Sequence, residues 1–241
     1  MLRQLKERSR EPELMDDFSG SESELKIIFD DINRVNRLLG GNKITIEAVA
    51  KLIDLNPKNS YTLMDVGCGD GTMLRAIADY CRAHSINVAL IGIDLNEDAL
   101  EIARKASVNY HEIRFELQDV LKLTETDLDC DILISTLTTH HFTNEQLPTM
   151  LTQFARLSKI GFVNNDLHRS PIAVVLFKLF RRVFIKSKIA KIDGLISICS
   201  GFKKRELIEL SKQLPQMHHK IKWKWAFRYV WIMQPNRPKS T

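Results

Sequence analysis

Leu63–Leu74 reads LMDVGCGDGTML, and this stretch decides the fold of the 241-residue chain. An apolar run ends beside an acid, turns through three alternating glycines, and continues at the helical spacing of Met73, Leu74 and Ile77. Glycine allows a sharp turn and lets a ligand approach the main chain, because it has no Cβ. The pattern predicts a strand, a tight turn, and a helix whose N-terminus faces a nucleotide-like ligand.

Three further apolar runs follow this loop, and acids stand near the ends of two of them. Asp94 closes the first run, 23 residues after Gly71, and Asp119 lies near the end of the second. In a doubly wound α/β sheet, an acid at the tip of the second strand can accept hydrogen bonds from ribose hydroxyls. The three runs are residues 89–94, 115–120 and 130–135.

The segment from Tyr61 to Phe142 resembles the core of a class I S-adenosylmethionine-dependent methyltransferase. The resemblance implies that S-adenosylmethionine is the cofactor and S-adenosylhomocysteine the product. It implies that the glycine loop supports the methionine part, that Asp94 binds ribose and that Asp119 binds the adenine amino group. The cofactor residues it implies are Asp65, Gly67, Gly69, Gly71, Asp94, Leu95, Asp119, Val120 and Thr136.

Two other interpretations of the glycine loop are a nicotinamide dehydrogenase and a non-catalytic domain. Nicotinamide dehydrogenases use G-x-G-x-x-G, whereas the sixth position here is Thr72. Asp65 and Asp70 also favour a ligand that bears positive charge over a pyrophosphate. A domain of the same fold that binds cofactor without catalysis, as a partner for another protein, is the second alternative.

The order of these runs predicts an α/β fold, a Rossmann-like, mostly parallel seven-stranded sheet with an antiparallel C-terminal hairpin. Residues 1–58 are predicted to form an N-terminal arm and cap helices, with an extended or mobile acidic opening at 11–17. We expect these helices either to lie over the ligand mouth or to cover a sheet edge. Residues 59–241 are predicted to form the methyltransferase domain, with a helical lid at about 170–200 inserted between strands five and six.

Local patterns predict where most of these elements lie. Ser21 to Glu24 reads as a capping box that starts a helix ending at Gly40 and Gly41. The further predicted helices are about 44–53, 144–157 and one within 172–189, and the later strands are 160–165, 220–225 and 227–233.

Four short motifs carry a narrower resemblance. They resemble bacterial methyltransferases encoded beside type III polyketide synthases, which implies that the acceptor is the hydroxyl of a phenolic or polyketide-derived small molecule. His140–Phe142 also resembles quinone C-methyltransferases, so C-methylation of a quinone or lipid-like substrate stays open. The motifs are RVNRLLGG at 34–41, HHF at 140–142, NDLHR at 165–169 and DGLIS at 193–197.

A phenol has a pKa of about 10, so a positioned base would assist its methylation at neutral pH. Histidine suits this task, and His140, His141 and His168 all fall in predicted loops after strands. We take His140 or His141 as the first candidates for the base, with His168 and Asp166 behind them. The alternatives are packing roles for these side chains and an enzyme that acts through proximity alone.

Basic residues greatly outnumber acids from Arg169 to Lys224. This could be a nucleic-acid face, but the loop after the fourth strand lacks the N/D-P-P-Y/F pattern of amino-methylating nucleic-acid enzymes. It could also be a peripheral contact with an anionic membrane through the basic lid, or a solvated face that docks the acidic arm. We therefore expect a small-molecule substrate and no nucleic acid, and the oligomeric state stays open.

The cysteines are far apart and form no C-x-x-C pair. This indicates reduced thiols, a cytoplasmic location and no structural metal. No stretch reaches the roughly 18 apolar residues that a membrane span needs.

Overall fold

A computed structural model of the chain describes residues 5–16, 18–123 and 128–236. Its seven strands form one sheet in the order β3-β2-β1-β4-β5-β7-β6. Strands β1 to β5 pair in parallel, and β7 runs antiparallel to β5 and β6. The predicted fold class is confirmed. The strands are β1 (Tyr61–Val66), β2 (Val88–Asp94), β3 (Ile113–Leu117), β4 (Cys130–Thr136), β5 (Ser158–Leu167), β6 (Met217–Lys224) and β7 (Arg228–Pro235).

Helices cover both faces of the sheet, and a 3₁₀ turn at Thr139–His141 follows β4. None of the described helices is long and apolar enough to cross a membrane. Those helices are α1 (Glu22–Leu38), α2 (Gly41–Leu55), α3 (Thr72–Ala83), α4 (Glu97–Ala106), α5 (Leu147–Leu157), α6 (Pro171–Phe184), α7 (Lys188–Ser200) and α8 (Lys204–Ser211).

Two apolar cores lie on opposite faces of the sheet because successive strand side chains point to opposite sides. In β1, Met64 joins the core that contains Phe154 and Trp231. Its neighbour Leu63 joins the core that contains Leu74. Burial on both faces explains why the central strands read as nearly continuous apolar runs.

The N-terminal helix begins as the sequence predicts. Ser21 and Glu24 form a capping box, with the Glu24 side chain accepting from the Ser21 backbone N at 2.9 Å. The helix ends at Leu38, and Gly40 adopts a φ of 71°. A φ in this region favours glycine, which explains the stop.

The lid contains two helices: α6 is the helix predicted within 172–189, and α7 follows it after a break that the sequence did not predict. The Asp31 carboxylate in α1 is buried and accepts hydrogen bonds from the backbone N of Lys186, at 2.8 Å, and of Ser187, at 2.7 Å. The Ser187 hydroxyl then accepts from Ala190 N and caps α7. The break is therefore held by a contact with a distant helix, and α8 was not predicted at all.

The arm packs against the domain over residues 5–16, and residues 11–13 have no helix or strand, as in the extended alternative predicted for 11–17. Leu5 is buried. The Arg8 guanidinium donates to the carbonyl oxygens of Ser200, His140 and Phe142 at 2.8–2.9 Å. Asp17 lies outside the described residues.

Candidate active site

The glycine loop joins the carboxyl ends of three neighbouring strands. Gly67 N donates to Ile93 O at 2.9 Å, and Gly69 N donates to the Asp94 carboxylate at 2.8 Å. Gly67 has a φ of 71°, and a Cβ on it would lie 2.2 Å from the Thr138 side chain. Glycine is therefore required at this position by both backbone conformation and space.

Asp65 carries an unsatisfied polar atom at this edge of the sheet. The residue is 1% exposed, and its Oδ1 atom has no hydrogen-bond partner among the described residues. Burial, together with the nearby charge of Asp94, raises the pKa of the Asp65 carboxyl well above its usual range. A cationic group placed here would satisfy this oxygen, as the cofactor's amino group would.

Asp70 behaves differently from the expectation that it faces the ligand. Its carboxylate accepts from Thr72 N at 3.1 Å, at the start of α3, and from Asn33 Nδ2 in α1 at 2.8 Å. The Arg75 guanidinium also lies 3.7 Å from it. Asp70 is thus used by the fold, and only Asp65 supports the charge argument.

The other predicted cofactor residues lie along the same edge of the sheet. Asp94 is partly exposed, and its second oxygen accepts from Asn96 N at 3.0 Å. Leu95 is 70% exposed, so its side chain is free to cover a planar ring. The Asp119 carboxylate is partly exposed, and it accepts from Leu121 N at 2.9 Å.

Val120 and Thr136 have protein partners. Val120 is buried in the core, and the Thr136 hydroxyl lies 3.1 Å from the Thr45 hydroxyl of α2. Helix α1 lies over the glycine loop, since a Cβ on Gly69 would be 3.0 Å from the Phe29 ring. The individual cofactor contacts stay predictions.

Asp166 anchors the opposite side of the site. It lies in β5, is 1% exposed, and accepts from the backbone N of His140 at 2.9 Å and of Leu167 at 2.6 Å. The Thr139 hydroxyl also donates to it. The 3₁₀ turn and the end of β5 are therefore fixed to each other through one carboxylate.

His140 lies between two carboxylates. Its Nδ1 is 2.7 Å from Asp166 Oδ1, and its Nε2 is 3.2 Å from Glu13 Oε1. Burial alone would lower the pKa of His140, but the charges and hydrogen bonds of Asp166 and Glu13 outweigh it and raise the pKa to about 10. Burial likewise opposes ionisation of Asp166, and the His140 charge overcomes it and lowers that pKa to about 2.

Glu13 is the site residue that the sequence did not reveal. Its side chain is buried, with 9% of the residue exposed. It faces His140 and also accepts a hydrogen bond from the Ser197 hydroxyl. Burial would raise the pKa of Glu13, but the hydrogen bond from His140 and the His140 charge lower it. The sequence signal was only an acidic segment, with nothing to connect it to a residue 127 positions later.

His141 completes this cluster. Its Nδ1 is 3.4 Å from Asp16 Oδ2, and its Nε2 is 3.8 Å from Glu13 Oε1. One ligand atom each from Glu13, His140 and His141 lie within 4.8 Å of one another, close enough to hold a metal ion. Because these groups already satisfy each other, we interpret the cluster as a hydrogen-bonded ion-pair network, and the expected absence of a metal stays a prediction.

His168 is not part of this cluster. Its Nδ1 accepts from the Trp223 indole N–H at 3.3 Å, and its ring packs on Phe227 and Tyr229. Burial and the charge of Arg169 lower the pKa of His168. The structure thus brings together three of the four predicted catalytic residues, namely His140, His141 and Asp166.

A cavity of about 190 Å³ separates the arm from the loop after β4. Ligand pockets usually measure roughly 300–1,000 Å³, so the docked arm leaves only a small space beside His140. The arm residues that line it include Arg8, Glu13 and Asp16.

Comparison with known proteins agrees with this geometry. Residues 63–161 match the family model described as a methyltransferase domain. The strand order is that of class I S-adenosylmethionine-dependent methyltransferases. The match to the methyltransferase family model and the class I fold thus agree over residues 63–161.

Solved structures share the fold over most of the chain. The plantazolicin methyltransferase BpumL in complex with S-adenosylhomocysteine has a TM-score of 0.67 and 18% identity, covering 88% of this chain and 90% of that one. Magnesium protoporphyrin IX methyltransferase from Synechocystis PCC 6803, also with bound S-adenosylhomocysteine, has a TM-score of 0.59 and 14% identity, covering 86% and 94%.

The curated relatives match shorter segments. A putative 23S rRNA (guanine-N(1)-)-methyltransferase, YxjB of Bacillus subtilis, is 30% identical over 92 residues, or 37% of this chain. An uncharacterized 37.1 kDa protein in a Streptomyces fradiae transposon is 33% identical over 78 residues, or 32% of this chain. The chain covers 31% and 22% of the lengths of these two proteins.

Proposed function

We propose that this chain transfers a methyl group from S-adenosylmethionine to a hydroxyl of a phenolic or polyketide-derived small molecule. The buried Asp65 oxygen beside the glycine loop carries the proposal, because it has no partner among the described residues and the cofactor's amino group would supply one. The comparisons support the reaction class. The acceptor rests on the sequence motifs and on the polar cluster around His140.

Asp65, the glycine loop, Asp94 and Leu95 are the groups that would hold the cofactor. When bound, S-adenosylmethionine supplies a methyl group activated by its sulfonium. The Asp94 carboxylate already accepts two backbone hydrogen bonds. A carboxylate has about four acceptor positions, so Asp94 can also accept bonds from ribose hydroxyls.

His140 is the base in this proposal, and Asp166 is its positioning residue. Asp166 fixes Nδ1, so the Nε2 atom points to Glu13. With Glu13 in contact, His140 is protonated at neutral pH and cannot accept a proton. When the acceptor hydroxyl displaces Glu13 from Nε2, the Glu13 carboxylate takes the Nε2 proton with it and releases that proton to solvent. The neutral imidazole then accepts the hydroxyl proton at Nε2.

Calorimetric titration with S-adenosylhomocysteine tests the cofactor site. We expect Asp65→Asn and Asp94→Ala each to weaken binding by about tenfold or more, since hydrogen bonds to charged groups contribute about 1.5–3 kcal/mol. The exposed Asp54→Ala is the matched control and should bind like the unmodified protein. Unchanged binding in both site variants would reject the proposed site.

Methyl transfer with labelled S-adenosylmethionine over a panel of phenols, quinols, carboxylic acids and ribosomal RNA tests the acceptor. Labelled methyl ethers of phenols support the proposal. Methyl on a quinol ring carbon would instead support C-methylation of a quinone or lipid-like substrate. Cofactor binding without transfer to any acceptor would favour a non-catalytic partner domain.

A further inference from the structure

Helix α6 directs apolar side chains into solvent. Ile172, Val175, Leu176, Leu179 and Val183 are 62%, 51%, 43%, 56% and 77% exposed. Their spacing of three, four, seven and eleven residues from Ile172 places them on one side of the helix. We name these five side chains the apolar face of α6.

The packed side of α6 does not explain this face. Ala173 and Val174 are buried against a cluster that includes Leu5 and Ile198. Phe177 packs closely on α7, where a Cβ on Gly194 would lie 2.2 Å from its ring. The helix is thus apolar both toward the protein and toward solvent, which in a water-exposed helix marks a binding surface.

The surroundings of the apolar face are basic. No acid occurs in the sequence between Asp166 and Asp193, whereas seven lysines and arginines do. Arg182, Lys186 and Lys188 are exposed on or just after α6. Arg169 is buried and pairs with Glu206. The other six basic residues are Lys178, Arg181, Arg182, Lys186, Lys188 and Lys191.

The nearest carboxylates on the packed elements do not offset this charge at the surface. Asp31 in α1 is buried and accepts from two backbone N–H groups at the end of the lid break. Asp193 in α7 is also buried and accepts from Leu14 N and Met15 N.

We propose that the apolar face of α6 docks the protein onto an anionic lipid bilayer. An apolar helix face flanked by lysine and arginine binds at the interface of acidic membranes through buried apolar area and charge attraction. A second copy of the chain fits less well. In a two-fold dimer the same surface meets itself, so Arg182 and Lys186 would lie beside the same cations of the partner.

The helix that carries this surface lies close to the His140 cluster, which is where the proposed function places the methyl acceptor. Helix α6 begins just after the end of β5. Helix α7 packs against α6, and its Ser197 hydroxyl donates a hydrogen bond to Glu13. A bilayer on α6 would therefore deliver amphiphilic acceptors beside His140. That last step rests on the proposed function, whereas membrane binding does not.

Flotation of the full chain with lipid vesicles tests the proposal. We expect binding to vesicles of phosphatidylglycerol mixed with phosphatidylcholine, weaker binding to phosphatidylcholine alone, and release by high salt because the charge attraction is screened. The double variant Leu179→Gln/Val183→Gln should lose binding. Arg182→Gln/Lys186→Gln should weaken it by about thirtyfold, since each of the two surface cations contributes roughly 1 kcal/mol.

Val108→Gln, 71% exposed outside α6, is the matched control and should bind like the unmodified protein. The proposal is overturned if the unmodified chain ignores acidic vesicles, or if Val108→Gln loses as much binding as the α6 variant. It is also overturned if sedimentation shows a dimer that the Leu179→Gln/Val183→Gln change disrupts without any vesicle binding. S-adenosylhomocysteine titration of the α6 variants separates this outcome from failure of the proposed function, because cofactor binding should not change.

Discussion

The protonation of His140 depends on which carboxylates face it. Asp166 is part of β5 and keeps its contact, but Glu13 belongs to the arm. One of the two groups that hold the His140 proton can therefore leave without disturbing the sheet. In the proposed mechanism, the position of Glu13 in the arm therefore determines whether the His140 imidazole is protonated or neutral.

The Glu13→Gln variant tests this dependence. Removing the Glu13 charge lowers the pKa of His140, because that charge helps to raise it. We expect the rising limb of the kcat/KM profile with pH to move to lower pH, as the neutral imidazole then forms earlier. The exposed Glu11→Gln in the same arm is the control, and a limb that stays in place in Glu13→Gln contradicts the assignment.

The buried His140–Asp166 pair also makes stability depend on pH. The pKa of His140 is raised to about 10, so its contribution is complete below the ordinary value of 6.5 and is lost as pH rises toward 10. The pKa of Asp166 is lowered to about 2, so its contribution is complete above the ordinary value of 3.8 and is lost as pH falls toward 2.

We therefore expect the free energy of unfolding in urea to decline between about pH 6.5 and about pH 10. In His140→Gln this decline should be shallower, and the protein should be less stable at pH 6 by about 3 kcal/mol, the lower end of the cost of breaking a buried pair. Equal slopes in the two proteins would show that His140 does not titrate with the fold.

At the scale of elements, Asp70 joins two helices that the sequence separates. Its carboxylate accepts from Thr72 N at the first residue of α3 and from Asn33 Nδ2 in α1. The cofactor loop and the helix above it are therefore coupled by one side chain. This contact therefore helps to hold α1 against the glycine loop.

The Asp70→Ala variant should lose about 1 kcal/mol or more of unfolding free energy, since each hydrogen bond it removes contributes about 0.5–1.5 kcal/mol. It should also increase amide hydrogen exchange in α1. Asn96→Ala is the matched control, because Asn96 caps α4 through Ala99 N at 3.0 Å. We expect a similar loss of stability there, without faster exchange in α1.

Local patterns predicted the elements whose causes are local. The Ser21–Glu24 capping box, the glycine turn and the apolar strands were all identified because their spacing alone determines the structure. The lid break and the Glu13–His140 contact were not identified, because each depends on residues far apart in the chain. Asp31 and Ser187, which hold the break, are 156 residues apart, and Glu13 and His140 are 127 apart. Contacts of that separation leave no periodic trace in the chain.

At the scale of the whole molecule, the arm connects the lid to the loop after β4. Arg8 bonds carbonyl oxygens in both regions and lies 4.4 Å over the Phe202 ring. Arg8 is therefore an attachment of residues 5–16 that reaches both regions at once. Its loss should release the arm while leaving the sheet intact.

We expect Arg8→Ala to increase amide exchange across residues 5–16 with little change in the protection of β1 to β5. Arg10→Ala is the control, since the Arg10 side chain is 74% exposed and pairs only with Glu145 in the hydrogen bonds observed for it. Surface pairs of this kind contribute about 0–1 kcal/mol. Faster exchange in both variants would mean that Arg8 has no special place in docking the arm.

The contact between Glu13 and His140 has a further consequence for the order in which the molecule assembles. Contacts between distant residues form only after the intervening chain has been brought together, because closing a long loop costs entropy. The glycine loop and its strands lie close in sequence, whereas the arm must wait for β4, β5 and α7. We expect a newly folding chain to become able to hold its methyl donor before its acceptor side is complete.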